Sequence, residues 1–171
     1  MNEIWQQIEE YLKASVPTVI ETLNPPATEV EIQELEKELG HSIPNDFKNY
    51  LLVHNGQNDP TRLQILCEEG TLLSTEAIID TYRMLNEINE SNDIGNIEWW
   101  SRKYMPITDC EGDHLSIDLE SGEVVMHVHD SGIEKGIANS FSEWINYKLL
   151  IFREGKYSVD DGYLDYWEYS S

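Results

Sequence analysis

Apolar residues recur at helical spacing over residues 3–14, placing Ile4, Ile8, Tyr11 and Leu12 on one face. Pro17 keeps the residue before it out of the α region, so that helix must end by Val16. The run TEVEIQELEKELG is the best-specified helix of the chain. Thr28 and Glu31 have capping-box spacing, Ile32, Leu35 and Leu39 make a buried stripe, and Gly40 ends it. Pro44 opens a shorter helix with Phe47, Tyr50, Leu51 and His54 on one side, and Asn55-Gly56 closes it in left-handed conformations. Leu63–Leu66 and Thr71–Leu73 have the length of short strands around the acidic turn from Cys67 to Gly70. Ser74 caps a longer helix with Ile78, Tyr82, Leu85 and Ile88 in its stripe, and Asn86–Ile97 reads as its frayed end and a loop.

The pattern then changes period. Tyr104–Thr108, His114–Leu119 and Val124–His129 are short β-rich runs separated by the turn clusters DCEGD and ESGE, the signature of an antiparallel meander. A second capping box, Ser140 with Glu143, precedes an amphipathic run of Phe141, Trp144, Ile145, Leu149 and Phe152 that Gly155 stops. Helices first, strands next and a helix last predict a single-domain α+β fold, an antiparallel β-sheet packed against several α-helices. The domain is expected over residues 1–156. An acidic-aromatic extension follows at 157–171, where Tyr163, Tyr166, Trp167 and Tyr169 alternate with acids. Those aromatics either dock on the domain or form an arm that contacts a partner.

Charge changes the picture most. The chain of 171 residues carries 33 Asp and Glu against 11 Lys and Arg, a formal net charge of -22. With 40% hydrophobic residues, 5 Trp and 9 Tyr it is too apolar for a disordered acidic chain, so the acid belongs to a folded surface. Such a surface repels nucleic acid and anionic lipid and speeds encounter with basic proteins, although solubility alone also accounts for an acidic balance. Between Lys103 and Lys135 there is no Lys or Arg and there are eight acids: Asp109, Glu111, Asp113, Asp118, Glu120, Glu123, Asp130 and Glu134. The predicted sheet is therefore a negative patch, flanked by Trp99 and Trp100. Two adjacent residues of an extended segment cannot both point inward, which leaves one tryptophan as an exposed anchor.

Chemistry has weaker candidates. A two-residue turn at Ser121-Gly122 pairs Ser116 with His127 and His114 with His129, so His114, Ser116, Asp118, His127 and His129 share one sheet face. That set suits zinc or iron, or is a solvated sheet face, and no HExxH or CxxC anchors a metal. Asp109, Glu111, Asp113 and Glu120 fall at positions 1, 3, 5 and 12 of a calcium-type loop, but His114 occupies the position that needs Gly, and strands surround it. The chain has no GxSxG, Walker or GxGxxG motif, and Cys67 and Cys110 read as reduced thiols. No cofactor, no metal and no catalytic residue is assigned. The N-terminus has no secretory pattern and no run is long enough to span a membrane, which points to a cytoplasmic protein.

These landmarks, in this order, resemble the SUKH superfamily, whose founding members include a yeast regulator of cell-wall assembly. They are an N-terminal helix with Trp5 and Ile8, then Ala27, Thr28, Glu31, Ile32, Leu35, Glu36, Leu39 and Gly40. Ile43-Pro44, Asp46-Phe47-Lys48, Leu51 and His54-Asn55-Gly56 follow. After Trp99 and Trp100 come Tyr104, Pro106, Ile107, Asp109, Gly112 and Asp113, then Leu115 to Leu119, then Ser140, Phe141 and Trp144. The resemblance covers roughly residues 3–152 and leaves the tail without a counterpart.

The resemblance implies an α+β domain without catalysis of its own, and for bacterial members an immunity protein that neutralises a toxin domain, often a nuclease. A nuclease must present a basic surface to a polyanion, and an acidic protein competes for that surface. The expected partner is thus a basic protein, the C-terminal toxin domain of a polymorphic toxin, with neither nucleic acid nor membrane bound. Trp99, Trp100, Asp109, Glu111, Asp113, Asp118, His127 and His129 are the expected contacts. The rival readings are a regulatory or scaffolding protein with a housekeeping partner, and a metal-dependent hydrolase on the histidine face.

Overall fold

The computed structural model describes residues 1–58, 70–91, 98–160 and 163–166. The strand expected at Leu63–Leu66, Cys67, the loop 92–97 and the last tail residues with Trp167 lie outside the described residues. The first half is helical: α1 (Asn2–Ser15), α2 (Pro17–Ile20), α3 (Glu29–Leu39), α4 (Asn45–Leu51) and, after the short β1 (Thr71–Leu72), α5 (Thr75–Ser91). Then come β2 (Tyr104–Pro106), β3 (Thr108–Asp109), β4 (His114–Asp118), β5 (Val124–Val128) and β6 (Gly132–Ala138), α6 (Phe141–Glu154), and a hairpin of β7 (Tyr157–Asp160) and β8 (Tyr163–Tyr166). The main sheet is four-stranded and antiparallel in the order β2-β4-β5-β6, and β1 pairs with β3. This is the α+β fold with an antiparallel sheet that the hydrophobic pattern predicts.

The helix ends follow their local chemistry. Thr28 and Glu31 complete the reciprocal capping box of α3, and Gly40 closes it at φ 68. The second box closes differently: Ser140 Oγ accepts the Glu143 N–H at 3.1 Å, but the Glu143 carboxylate accepts from the N–H of Asn139 at 2.6 Å. α5 runs on to Ser91, so Asn86 is a buried helical residue and not the start of a loop. Pro17, which stops α1, also opens α2, a single turn the pattern did not announce.

The stripes meet in one core. Ile8, Leu12, Ile32, Leu35, Phe47, Leu51, Ile78, Phe141 and Ile145 are each 0–1% exposed, and burying one such side chain is worth roughly 1.5–3 kcal/mol. The His54-Asn55-Gly56 run ties the helical half to the sheet. Only Gly56 is left-handed, at φ 67, and a Cβ there would lie 2.4 Å from the Leu73 carbonyl carbon. His54 contacts the Asn24 carbonyl oxygen through Nδ1 at 2.9 Å and Glu9 through Nε2 at 3.1 Å. At the other end of the domain, Tyr157 packs on Phe152, and its hydroxyl shares a 2.9 Å hydrogen bond with Ser15.

Candidate protein-binding site

The β4–β5 hairpin sets the geometry. His114 pairs with His127, Leu115 with Met126, Ser116 with Val125 and Ile117 with Val124. The expected two-residue turn is replaced by the loop Leu119–Gly122, because Asp118 closes it from within. Its carboxylate accepts the N–H of Glu120 at 2.9 Å and of Ser121 at 3.3 Å, and its carbonyl accepts the N–H of Gly122 at 2.7 Å. The strands slide past each other by an even step, so the expected faces survive while their partners change.

The histidine face is buried, not solvated. His114, Ser116 and His127 are 1%, 0% and 0% exposed. They are roofed by the segment leading from α5, where both tryptophans turn inward and straddle His127. The Trp99 ring lies 4.7 Å and the Trp100 ring 5.3 Å from it, both edge-on. Each indole N–H is satisfied, Trp99 by the His129 carbonyl at 2.8 Å and Trp100 by the Asn86 side chain at 3.0 Å. That explains why both are buried where one was expected outside: the segment is a layer between α5 and the sheet. Asn86 was missed, because a polar residue late in a helix gives no signal that an indole lies over it.

His114 and His127 stack with planes 12° apart, and Nδ1 of His114 is 2.8 Å from the Thr108 carbonyl oxygen. His129 faces outward, 2.6 Å from Asp113 and 3.3 Å from Asp130. Among the described residues no group of three or more His, Cys, Asp or Glu is arranged to hold a metal ion. Burial drives His127 down to about 4 and His114 down as well. The Asp113 hydrogen bond, then Asp130, raises exposed His129.

What reaches solvent is the tip of the acidic turn between β3 and β4. Cys110 and Asp113 exchange both backbone hydrogen bonds at 2.9 Å around Glu111 and Gly112, whose φ values are 53 and 102. Two successive positive φ values make a primed turn, for which Asn-Gly is the favoured sequence. Glu111 is exposed, Asp109 and Asp113 are half-buried beside it, and Glu120, Asp130 and Glu134 are exposed on neighbouring turns and β6. Asp118 is set apart, 6% exposed and 3.1 Å from Lys103. Burial alone would raise its carboxyl, but the Glu120 N–H, the Lys103 ammonium and the Ser121 N–H outweigh it and hold it below the usual range. Of the eight expected contacts, Asp109, Glu111, Asp113 and His129 gather at one accessible corner, while Trp99, Trp100, Asp118 and His127 lie inside. A groove of about 550 Å³ lies between α3 and α5, walled by Glu31, Glu34, Glu38, Glu76 and Asp80 together with Lys37 and Arg83, the last paired with Glu38.

A model of the SMI1 / KNR4 family (SUKH-1) matches residues 26–147, well over half of the chain. The chain belongs to that family. The match runs from α3 into the first half of α6 and includes the His54-Asn55-Gly56 tie, the tryptophan layer and the acidic turn between β3 and β4. Among relatives, "KNR4/SMI1 homolog 2" of Debaryomyces hansenii is 29% identical over 91 residues, 53% of this chain and 15% of that protein. "Uncharacterized protein YnaB" of Bacillus subtilis is 43% identical over 47 residues, 28% of this chain and 33% of the relative. "F-box only protein 3" of Mus musculus is 26% identical over 127 residues, 72% of this chain and 25% of the relative. The chain thus matches a third or less of the length of each. SUKH-1 membership supports a protein-binding, immunity-like module in general. No helix among the described residues is long and apolar enough to cross a membrane.

Proposed function

We propose that this SUKH-1 chain is an immunity protein that binds the basic surface of a cognate bacterial toxin domain and blocks it by occlusion. The observation that carries the reading is Glu111. A non-glycine residue at φ 53 costs roughly 1–2 kcal/mol, and Asn or Gly would relieve it. A strained carboxylate at the exposed tip, with Asp109 and Asp113 beside it and no Lys or Arg between 103 and 135, fits a contact kept for its charge. On this reading Asp109, Glu111, Asp113 and His129 touch the partner. Trp99, Trp100, Asp118 and His127 hold the hairpin in place from behind. The protein acts in the cytoplasm of the toxin-producing cell, and the extension from Tyr157 docks on the domain.

Co-expression with the product of the neighbouring gene tests this. The proposal expects a 1:1 complex that survives purification and a toxin activity that the full chain suppresses. Absence of a complex, or suppression unchanged by the combined D109N, E111N and D113N substitutions, would overturn it. The alignments to yeast KNR4/SMI1 homologues and to F-box only protein 3 favour one alternative, a regulatory module with a housekeeping partner. In that case the complex forms with a protein encoded elsewhere.

A further inference from the structure

The tryptophan layer, which serves the binding reading only as support, covers a second device. His127 sits at 0% exposure with Trp99, Trp100 and His114 around its ring at 4.7, 5.3 and 5.7 Å. Neither of its ring nitrogens, nor Nε2 of His114, has a hydrogen-bond partner among the described residues. Burial without a hydrogen-bond partner suits a neutral ring and penalises a cation, because among the described residues no carboxylate bonds to the His127 ring in place of the lost water. Two protonated rings at this separation also repel each other in a poorly screened interior.

The groups that face the pair offer little relief. β4 contributes His114 itself, and the β3–β4 turn contributes Asp109 and Asp113. Asp113 is engaged by His129 at 2.6 Å, and Asp109 lies 3.9 Å from Nδ1 of His114 with its side chain 41% exposed. From β5 comes His129, itself cationic when protonated. The tryptophan segment brings Glu98, which accepts the Tyr104 hydroxyl of β2 at 2.8 Å and also neighbours Lys103 and Lys135. α5 and β6 present Asn86 and Ile133, neither of which titrates. Among the described residues the layer is held by the two indole N–H groups, the Ile133 N–H to the Glu98 carbonyl at 3.0 Å and the contacts of the Glu98 side chain.

We propose that the stacked His114–His127 pair is a built-in acid switch: protonation of the pair lifts the Trp99-Trp100 layer off the sheet while the helical core stays folded. The device does not depend on which partner the protein binds. Its direction follows from linkage. Burial holds His127 near 4 in the closed form, and solvent exposure returns it toward ~6.5, so the open form binds the proton more tightly. The closed layer therefore keeps its stability above about pH 6.5 and loses it as pH falls toward 4. His127 alone raises the open-to-closed ratio about 30-fold by pH 5, still above the isoelectric point near 4.3.

The test is fluorine NMR of the full chain labelled with 5-fluorotryptophan, titrated from pH 7.5 to 5 with far-UV circular dichroism on the same samples. The expected result is movement of the Trp99 and Trp100 signals to solvent-exposed values, with Trp5, Trp144 and the helical ellipticity unchanged. His127→Phe should flatten that titration, and His129→Gln should not. Histidine C2–H shifts in the unsubstituted chain supply a second reading if His127→Phe fails to fold: His127 should titrate below ordinary histidine and in step with the Trp99 and Trp100 signals. Signals that stay flat to pH 5, an ellipticity lost in step with them, or a His127 that titrates near 6.5 without moving the tryptophans would each overturn the proposal.

Discussion

Asn55 and Thr75 lock the segment after α4 to the start of α5: Asn55 Oδ1 accepts the Thr75 N–H at 2.8 Å, and Asn55 Nδ2 donates to Thr75 Oγ1 at 3.1 Å. Both residues are buried, at 8% and 2% exposure. Thr75 opens α5, so the Asn55 side chain serves as a cap supplied from another element. Asn55→Ala removes one partner and leaves the other buried without a bond. The expected loss is about 1–3 kcal/mol, read from the midpoint of urea unfolding at unchanged m-value.

Next to it, Gly56 and Gly40 share one backbone conformation, φ 67 and 68, in opposite surroundings. A Cβ on Gly56 would meet Leu73 backbone at 2.4 Å, whereas Gly40 has nothing within 4 Å. Gly40→Ala should therefore cost only the left-handed strain, about 1–2 kcal/mol. Gly56→Ala should cost clearly more, because backbone must move as well. Thermal unfolding of the two variants side by side tests the difference, and equal losses would contradict this account of the tie.

Asp118 predicts a pH-dependent loss. Its folded pKa lies below the ordinary value, so its contribution is fully present above that value and disappears as pH falls through the folded one. Asp118→Asn breaks the Lys103 pair and weakens the loop Leu119–Gly122. It should cost about 1–3 kcal/mol at pH 7, and the gap to the unsubstituted chain should narrow as pH falls below ~4. Urea midpoints at pH 7 and pH 3 provide the comparison.

These cases show why part of the molecule was legible in its sequence. Capping pairs, a proline stop and stripes at i, i+3 and i+4 act within one segment, so α1, α3, α5 and α6 were readable. The hairpin register was not, because it is fixed by where the Asp118 carboxylate points, and a side chain's hydrogen bonds leave no periodic trace. Nor was the burial of the histidine face. A polar alternation looks alike whether water or a layer of indoles covers it, and the covering segment is separated from β5 by three other strands. The acidic corner was legible as composition, but only the fold separates Glu111 at the tip from Asp118 inside.

Glu111 is expected to trade stability against binding. Glu111→Asn suits the primed turn and should raise stability by roughly 0.5–1.5 kcal/mol, with ~2–4 °C in Tm for each kcal/mol at this size. The same substitution removes a tip charge and should slow association with the partner. A variant that is more stable and binds equally well would remove Glu111 from the contact.

The most direct test of the central claim measures association rate against salt. The neighbouring gene's toxin domain is purified, and its binding to the full chain is followed by stopped flow at about 25 and 250 mM NaCl. The account predicts an on-rate that falls by roughly tenfold or more over that range, as expected for electrostatic steering. Combined D109N, E111N and D113N substitutions should lower the on-rate at low salt and flatten its salt dependence. No binding, or an on-rate indifferent to salt and to those three carboxylates, would contradict the claim that this acidic corner captures a basic protein.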